Sequence, residues 1–512
     1  MKSDYTQDVT FNSDFGALQT PVHLATAMAL SGWEPGKIKG HFRYLDLACG
    51  NGHTLTLLAD AHPKAEFVGI DINPQHIEQA QKVANEAELT NVTFICADLM
   101  TLNASEFPPF DYCAISGIYS WLDDTRQAYI FQIIDDLLTD EGVFYLDYCA
   151  LPGITQTATL YSMVQQFADQ YQGSSAQRLT AATQLLIPLH KAKTPFFQYN
   201  QQAAERFSRM LSNPAEDEAH EVLNLKPNAV WSKEIIEKAQ DEGFTFVGSA
   251  GLHHNVPDFS AHLTLPEAAK SLPVSCQQML QDVAWNVTQR KDIYCKNRVP
   301  SSRSLSERLH DVDFYFPPGS LNEQMISAIT RQFPGARLLN KPNIENLLQC
   351  GVTGTVGELS RTFCQLYQQK YHRHCDFFDA LLEQLLATRV MSLAVVQVPV
   401  KGNCASFSLP SALNRLLLKQ DLHMEFGRPL SSPVTGTRLV LPIKDRLYLW
   451  ALTGNDLYSA WENLGQLQGI FFGPDGKKLN ADQFVQIIQS SLPAFKSRIA
   501  PELVRLGILQ CG

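Results

Sequence analysis

Between residues 20 and 150 the chain alternates short apolar runs with segments of helical periodicity. Thr20-Pro21 opens an Ala/Leu-rich stretch over 21–31, read as a helix begun by a capping threonine and a proline in its first turn. Gly32, Pro35, Gly36 and Gly40 break that pattern. The run Tyr44–Ala48 enters Cys49-Gly50-Asn51-Gly52, which reads as a strand leading into a tight glycine turn, and His53–Ala61 follows as a helix. Glu66–Ile72, Val92–Cys96, Asp111–Ser116 and Gly142–Ala150 read as further strands, with helices over 74–88 and 125–138 between them. Such alternation predicts a parallel sheet covered by helices on both faces. Right-handed crossovers then place every strand-to-helix loop on one edge of the sheet, where ligands bind.

Past Pro152-Gly153 the pattern changes. Residues 155–225 are mostly helical and polar. The segment 230–250 reads as one more helix and strand, returning to the core sheet after a helical insertion. Residues 255–310 are mixed and interrupted by proline. PPGS at 317–320 reads as a linker, with helices expected near 323–332, 342–349, 357–371 and 376–386, an apolar strand near 390–398, and more helices beyond Ser411. The organisation expected is α/β over 1–160, a helical and regulatory-type middle over 161–316, and a mixed α+β, winged-helix-like interaction domain over 317–512.

Bulk composition excludes several classes. The chain has 512 residues, 45% of them hydrophobic, so more than one domain is expected. Lys and Arg number 41 against 52 Asp and Glu, a net charge of -11, which does not draw nucleic acid or anionic lipid through its overall field. No apolar run reaches the ~18 residues of a membrane span, and the acidic N-terminus lacks a signal-peptide core. The 11 cysteines form no CxxC pair and are read as reduced thiols of a cytoplasmic protein. His372, His374 and Cys375 crowd together without further ligands at matched spacing, so no metal is expected.

The candidate chemistry lies in Asp46-Leu47-Ala48-Cys49-Gly50-Asn51-Gly52. Glycines allow close backbone approach to a ligand and positive φ. A dinucleotide site would carry a third glycine, and Leu55 stands at that position, which argues against NAD or FAD. S-adenosylmethionine has no phosphate. Asp46 ahead of the turn suits its cationic groups, Asp71 at the end of the second strand suits two ribose hydroxyls, and Asp98 after the third suits the adenine amino group. One aspartate after a strand is commonly just a helix cap, but three on successive strand ends form a set. Pro108-Pro109-Phe110 precedes a strand instead of following one and reads as a turn.

With these motifs in place, residues 44–150 resemble class I methyltransferases, with DLACGNG, VGIDIN and CADL in their motif positions. More narrowly, the chain resembles bacterial protein-lysine methyltransferases with a methyltransferase regulatory domain, typified by enzymes that modify outer-membrane autotransporters. Tyr5 and TPVHLATAMALSG at 20–32 look like that family's N-terminal tyrosine and THPxxLA helix. FDYCAISGIYSWL at 110–122 looks like its FDYIxxHGVYSWV, DYCALPG at 147–153 like its SYNxxPG, and AHEVLN at 219–224 like the start of the regulatory part. Residues 410–415 and 427–437 resemble the C-terminal segment weakly. The family's histidine is Ser116 here, and its SYN is DYC.

The resemblance implies a Rossmann-like, mostly parallel seven-stranded sheet that binds S-adenosylmethionine and releases S-adenosylhomocysteine. It assigns the cofactor to Tyr5, Thr20, Asp46, Ala48, Cys49, Gly50, Gly52, Asp71, Ile72, Asp98 and Leu99, and the acceptor side to Ser116, Tyr119 and Trp121. Tyr119 would orient an amine through its hydroxyl, and Trp121 would wall the channel and hold a cation on its ring face. The alternative is that both rings only pack the loop. The partner implied is a methyl acceptor, a protein by this reading; no nucleic acid or integral membrane segment is expected, and monomer and homodimer are both left open. A small-molecule methyltransferase and a non-catalytic cofactor-binding protein remain as other readings, the first favoured by the departures at Ser116 and Asp147.

Overall fold

A computed structural model describes residues 15–512 except 224–228, 257–265, 318, 352, 397–403, 405, 423–427, 465–478 and 512. Tyr5 lies outside the described residues.

The first half builds one sheet. α1 (Pro21–Leu30), β1 (Arg43–Leu47), α2 (His53–Ala61), β2 (Glu66–Asp71), α3 (Pro74–Glu86), β3 (Val92–Cys96), β4 (Phe110–Ile115), α4 (Asp124–Leu137) and β5 (Leu138–Cys149) follow in order. A helical block comes next, with α5 (Thr155–Ala168), α6 (Ser175–Lys191), α7 (Pro195–Tyr199), α8 (Gln201–Ser212) and α9 (Ala215–Val222). α10 (Ser232–Asp241), β6 (Phe244–Ser249), α11 (Val274–Trp285) and β7 (Gln289–Lys296) then return to the sheet, whose strand order is β3-β2-β1-β4-β5-β7-β6. β1 to β5 pair in parallel, and β7 runs antiparallel to both β5 and β6. The sheet thus draws strands from well beyond residue 160.

Local chemistry explains these elements. Thr20 accepts from the His23 amide and Pro21 sits in the first turn, so α1 starts where its orphan amides are covered. All but one of its residues are buried, as a mostly apolar helix requires. Asn73 caps α3 ahead of Pro74. On β5, Val143 and Tyr145 face one core while Phe144, Leu146 and Tyr148 face the other, the period-2 signature of a strand covered on both sides. The first core holds α1, α2 and α3; the second holds α4 and α10. The helical block has a core of its own around Leu160, Tyr161, Leu179 and Phe207.

The C-terminal half is mixed α+β. α12 (Leu305–Arg308), β8 (Asp313–Tyr315), α13 (Glu323–Gln332), α14 (Lys341–Cys350), β9 (Thr353–Thr355), α15 (Val356–Tyr371), α16 (Phe378–Ala387) and β10 (Ser392–Ala394) form a unit around a small antiparallel sheet ordered β10-β8-β9. The supposed linker at 317–320 therefore lies inside this unit, because β8 before it pairs with strands after it. Leu381, Leu385 and Leu393 extend the core that covers α1. β11 (Phe407–Ser408), α17 (Ala412–Gln420), β12 (Leu430–Ser432), β13 (Thr437–Leu439), α18 (Ile443–Leu452), α19 (Leu457–Leu464), α20 (Ala481–Arg498), α21 (Ala500–Arg505) and β14 (Gln510–Cys511) build a last cluster, which also takes in Leu57 and Ala87 of the first half. Cys404 and Cys511 are disulfide-bonded, which corrects the expectation of reduced cysteines throughout. The other nine cysteines are free. Among the described residues no helix is long and apolar enough to cross a membrane.

Candidate active site

The strand order reverses at β1 and β4, which are neighbours although α2, β2, α3 and β3 lie between them in sequence. Ligands of open α/β sheets bind in the crevice at that point, beyond the carboxyl ends of the strands. The turn Ala48–Gly52 leaves β1 there. The amides of Ala48 and Cys49 both donate to the Ile70 carbonyl, at 2.7 and 3.0 Å, and pin the turn to β2. Its backbone is left-handed at Ala48 (φ 67°), Gly50 (φ 56°) and Gly52 (φ 71°). A side chain at Gly52 would stand 2.5 Å from Phe94 and 2.7 Å from Ala80, so only glycine fits. Leu55, at the third glycine position, has a counterpart: a Cβ at Gly69 of β2 would lie 2.7 Å from Leu55 Cδ1 and 2.8 Å from Cys49 Sγ. The glycine that allows close helix–strand packing has moved from the helix to the strand.

Asp46 is buried at the end of β1. Its Oδ2 accepts from Gln19 Nε2 at 3.1 Å, while Asp46 Oδ1 and Gln19 Oε1 have no partner. Burial, reinforced by the charges of Asp71 and Asp147, pushes the carboxyl up to about 8. Two orphaned acceptors beside the glycine turn suit an ammonium group, which fits the amino-acid end of S-adenosylmethionine. Asp71 Oδ2 accepts from the Gly50 amide at 2.9 Å; its Oδ1 accepts from the Asn73 amide at 2.8 Å and meets His76 Nδ1 at 3.3 Å. This carboxylate locks the turn and keeps lone-pair capacity for a ribose hydroxyl. Asn73 Nδ2, a buried donor without a partner, adds to the set.

The remaining expected cofactor residues are placed as follows. Thr20 caps α1 directly after Gln19. Cys49 is buried, its thiol pushed up by burial. Ile72 is exposed, next to Asp71. Asp98 Oδ1 caps the short turn that starts at Leu99, accepting from the Met100 amide at 3.0 Å, and Leu99 packs partly on the sheet core. Among the described residues no cluster of His, Cys, Asp and Glu is arranged to hold a metal.

Ser116 follows β4 on the same sheet face as Asp46, since Tyr112 and Ala114 of that strand face the α1 core. Its Oγ donates to Asp147 Oδ2 at 2.8 Å, and the Gly117 amide donates to Asp147 Oδ1 at 2.6 Å. Asp147 belongs to β5, the next strand, and burial raises its carboxyl while these two donors work against that rise. Tyr119 does not join this group. It is fully buried in the opposite core, edge-on to Phe131 and Tyr148, and its hydroxyl has no partner. The ring packs in that core, the second of the two roles expected for it. Trp121 is half-buried against the helical block. Sequence reading missed Gln19, Asn73 and His76, although Gln19 directly precedes the capping threonine.

Fold and site together define a Rossmann-like methyltransferase. Residues 38–212 match the family described as "Methyltransferase domain" and residues 219–296 the family described as "Predicted methyltransferase regulatory domain". The chain thus carries an S-adenosylmethionine-dependent methyltransferase domain followed by a methyltransferase regulatory domain. An uncharacterized protein of Synechocystis sp. is 25% identical over 300 residues, 58% of this chain and 58% of the relative. One from Rickettsia prowazekii is 27% identical over 228 residues, 44% of this chain and 89% of the relative. The structure of PKMT2 from Rickettsia typhi in complex with AdoHcy superposes with a TM-score of 0.68 at 18% identity, covering 97% of this chain and 99% of that one.

Proposed function

We propose that the protein transfers methyl groups from S-adenosylmethionine to lysine side chains of a protein substrate. The observation that carries this reading is full-length correspondence of fold: the sheet, the helical block and both C-terminal clusters have counterparts in PKMT2, a protein-lysine methyltransferase. Asp46 and Gln19 would hold the cofactor's amino-acid end, and Asp71, with Asn73 beside it, its ribose.

The cofactor supplies an electrophilic methyl group. The N–C bond forms as the C–S bond breaks, the electron pair stays on sulfur, and the proton of the resulting ammonium passes to solvent. A lysine ammonium must first lose a proton, at a cost of about 4–5 kcal/mol at pH 7. Desolvation at a buried edge lowers that cost. Alignment contributes roughly 7–11 kcal/mol in well-oriented systems. An open groove of about 520 Å³ runs along α5 from Leu151, just past the end of β5. The net charge of -11 supports protein over nucleic acid as acceptor. Nine free thiols suit a cytoplasmic setting.

Departures at Ser116 and Asp147 favour a second reading, methylation of a small molecule. Incubating the full chain with radiolabelled S-adenosylmethionine and cell lysate separates the two. Label in macromolecules that hydrolyse to methyllysine supports the first reading. Label confined to the small-molecule fraction overturns it in favour of the second.

A further inference from the structure

The hydroxyl of Ser116 has one proton and two lone pairs. That proton is committed to Asp147 Oδ2, at 2.8 Å. Asp147 cannot swing away, because its other oxygen accepts the Gly117 amide at 2.6 Å and the residue is 5% exposed within β5. Tyr145, on the same sheet face, also hydrogen-bonds Ser116 through its hydroxyl. With its proton on Asp147 and one lone pair facing Tyr145, Ser116 keeps one lone pair for the crevice at the strand-order reversal, where β4 lies beside β1. The same face carries Asp46, so two buried carboxylates border this point; the cation opposite Asp147 in register is Lys291 on β7.

We propose that Asp147 is a positioning residue that makes Ser116 an obligate hydrogen-bond acceptor and thereby selects amine over carboxylate methyl acceptors. The proposal rests on the methyltransferase reading above. An amine can donate an N–H to Ser116 Oγ and aim its lone pair elsewhere, towards the methyl group. A carboxylate has no proton to donate, meets that lone pair on Ser116 and is repelled by the charge of Asp147 behind it. Two of the positions at which the chain departs from the family it resembles are thus bonded to each other. Serine in place of histidine and aspartate in place of serine act as one exchange.

The test needs no identified substrate. Sinefungin, an analogue in which an amine-bearing carbon replaces the methyl sulfonium, places an ammonium where the methyl would be; S-adenosylhomocysteine lacks it. Calorimetry on the full chain compares both ligands in wild type, Asp147→Asn and Ser116→Ala. Asparagine keeps the shape of aspartate but donates to Ser116, which frees the serine proton and reverses the polarity of the hydroxyl. Wild type is expected to bind sinefungin more tightly. Each variant should reduce the sinefungin-to-homocysteine preference about tenfold, with homocysteine affinity nearly constant. Equal loss for both ligands, the result expected of a loop brace, overturns the proposal, as does an unchanged preference. Absence of saturable S-adenosylhomocysteine binding in wild type overturns the methyltransferase reading itself, and this proposal with it.

Discussion

His62 Nε2, at the end of α2, lies 3.0 Å from the carbonyl oxygen of Gly436, 374 residues further along the chain. A carbonyl only accepts, so the imidazole donates from Nε2. Ser411 also donates to Asp60, at 2.8 Å, and Ser431 to the Leu57 carbonyl, at 3.3 Å. The helix that begins at the cofactor turn is therefore held through its second half by the last cluster of the chain.

That contact gives a first prediction. Gly436 has φ 61°, and a side chain there would meet His62 at 2.7 Å and Val395 at 2.5 Å. Gly436→Ala should cost about 2–3 kcal/mol in urea unfolding, from overpacking and a disfavoured backbone. His62→Ala should cost a similar amount through a cavity and an unmade hydrogen bond.

His62 also predicts an acid response. Burial holds its imidazole at about 4, against 6.5 when unfolded. The unfolded chain thus binds the proton first, so the stability from neutral His62 is full above pH 6.5 and declines as pH falls towards 4. Melting temperatures between pH 7 and 4.5 should fall less steeply in His62→Gln than in wild type.

Asp46 works in the opposite sense. Its folded carboxyl is raised to about 8, so the free protein is partly protonated there at neutral pH. An ammonium ligand favours the carboxylate, and binding releases a proton. Affinity for S-adenosylhomocysteine should rise from pH 6 to 8, by at most about tenfold per pH unit, and Asp46→Asn should flatten the profile. Titration in buffers of different ionisation enthalpy measures the proton directly.

Asp71 holds the Gly50 amide as well as facing the ribose position. Asp71→Ala should weaken S-adenosylhomocysteine binding by about one to two orders of magnitude, as loss of charged hydrogen bonds does. Unchanged affinity would place the ribose elsewhere.

Leu55 and Gly69 should behave as a pair. Gly69→Ala should destabilise by about 1–3 kcal/mol, because its methyl group would press on Leu55, Cys49 and Phe94. Adding Leu55→Ala should recover part of that loss, and a double-mutant cycle gives the coupling.

The sequence made the first five strands legible because apolar runs bounded by turn residues are local signals. The glycine turn and its three aspartates were readable for the same reason. Long-range pairings were not. Nothing near Leu138–Cys149 announces that β7 will pair with it after a whole helical block, or that Gln19 will reach Asp46. Proline and glycine at 317–320 looked like a boundary but only turn the chain inside a unit. The face Tyr119 takes was not readable either, because face is set residue by residue: Ser116 continues one side of β4, while the tyrosine turns into the other core.

The strand between β5 and β6 has a consequence for how the chain is made. Until Gln289–Lys296 has left the ribosome, β5 remains an open edge with unpaired amides and carbonyls, a template for mispairing. The segment named for regulation thus closes the catalytic sheet. A chain cut short before it would leave that edge bare, whatever else of the first half had folded.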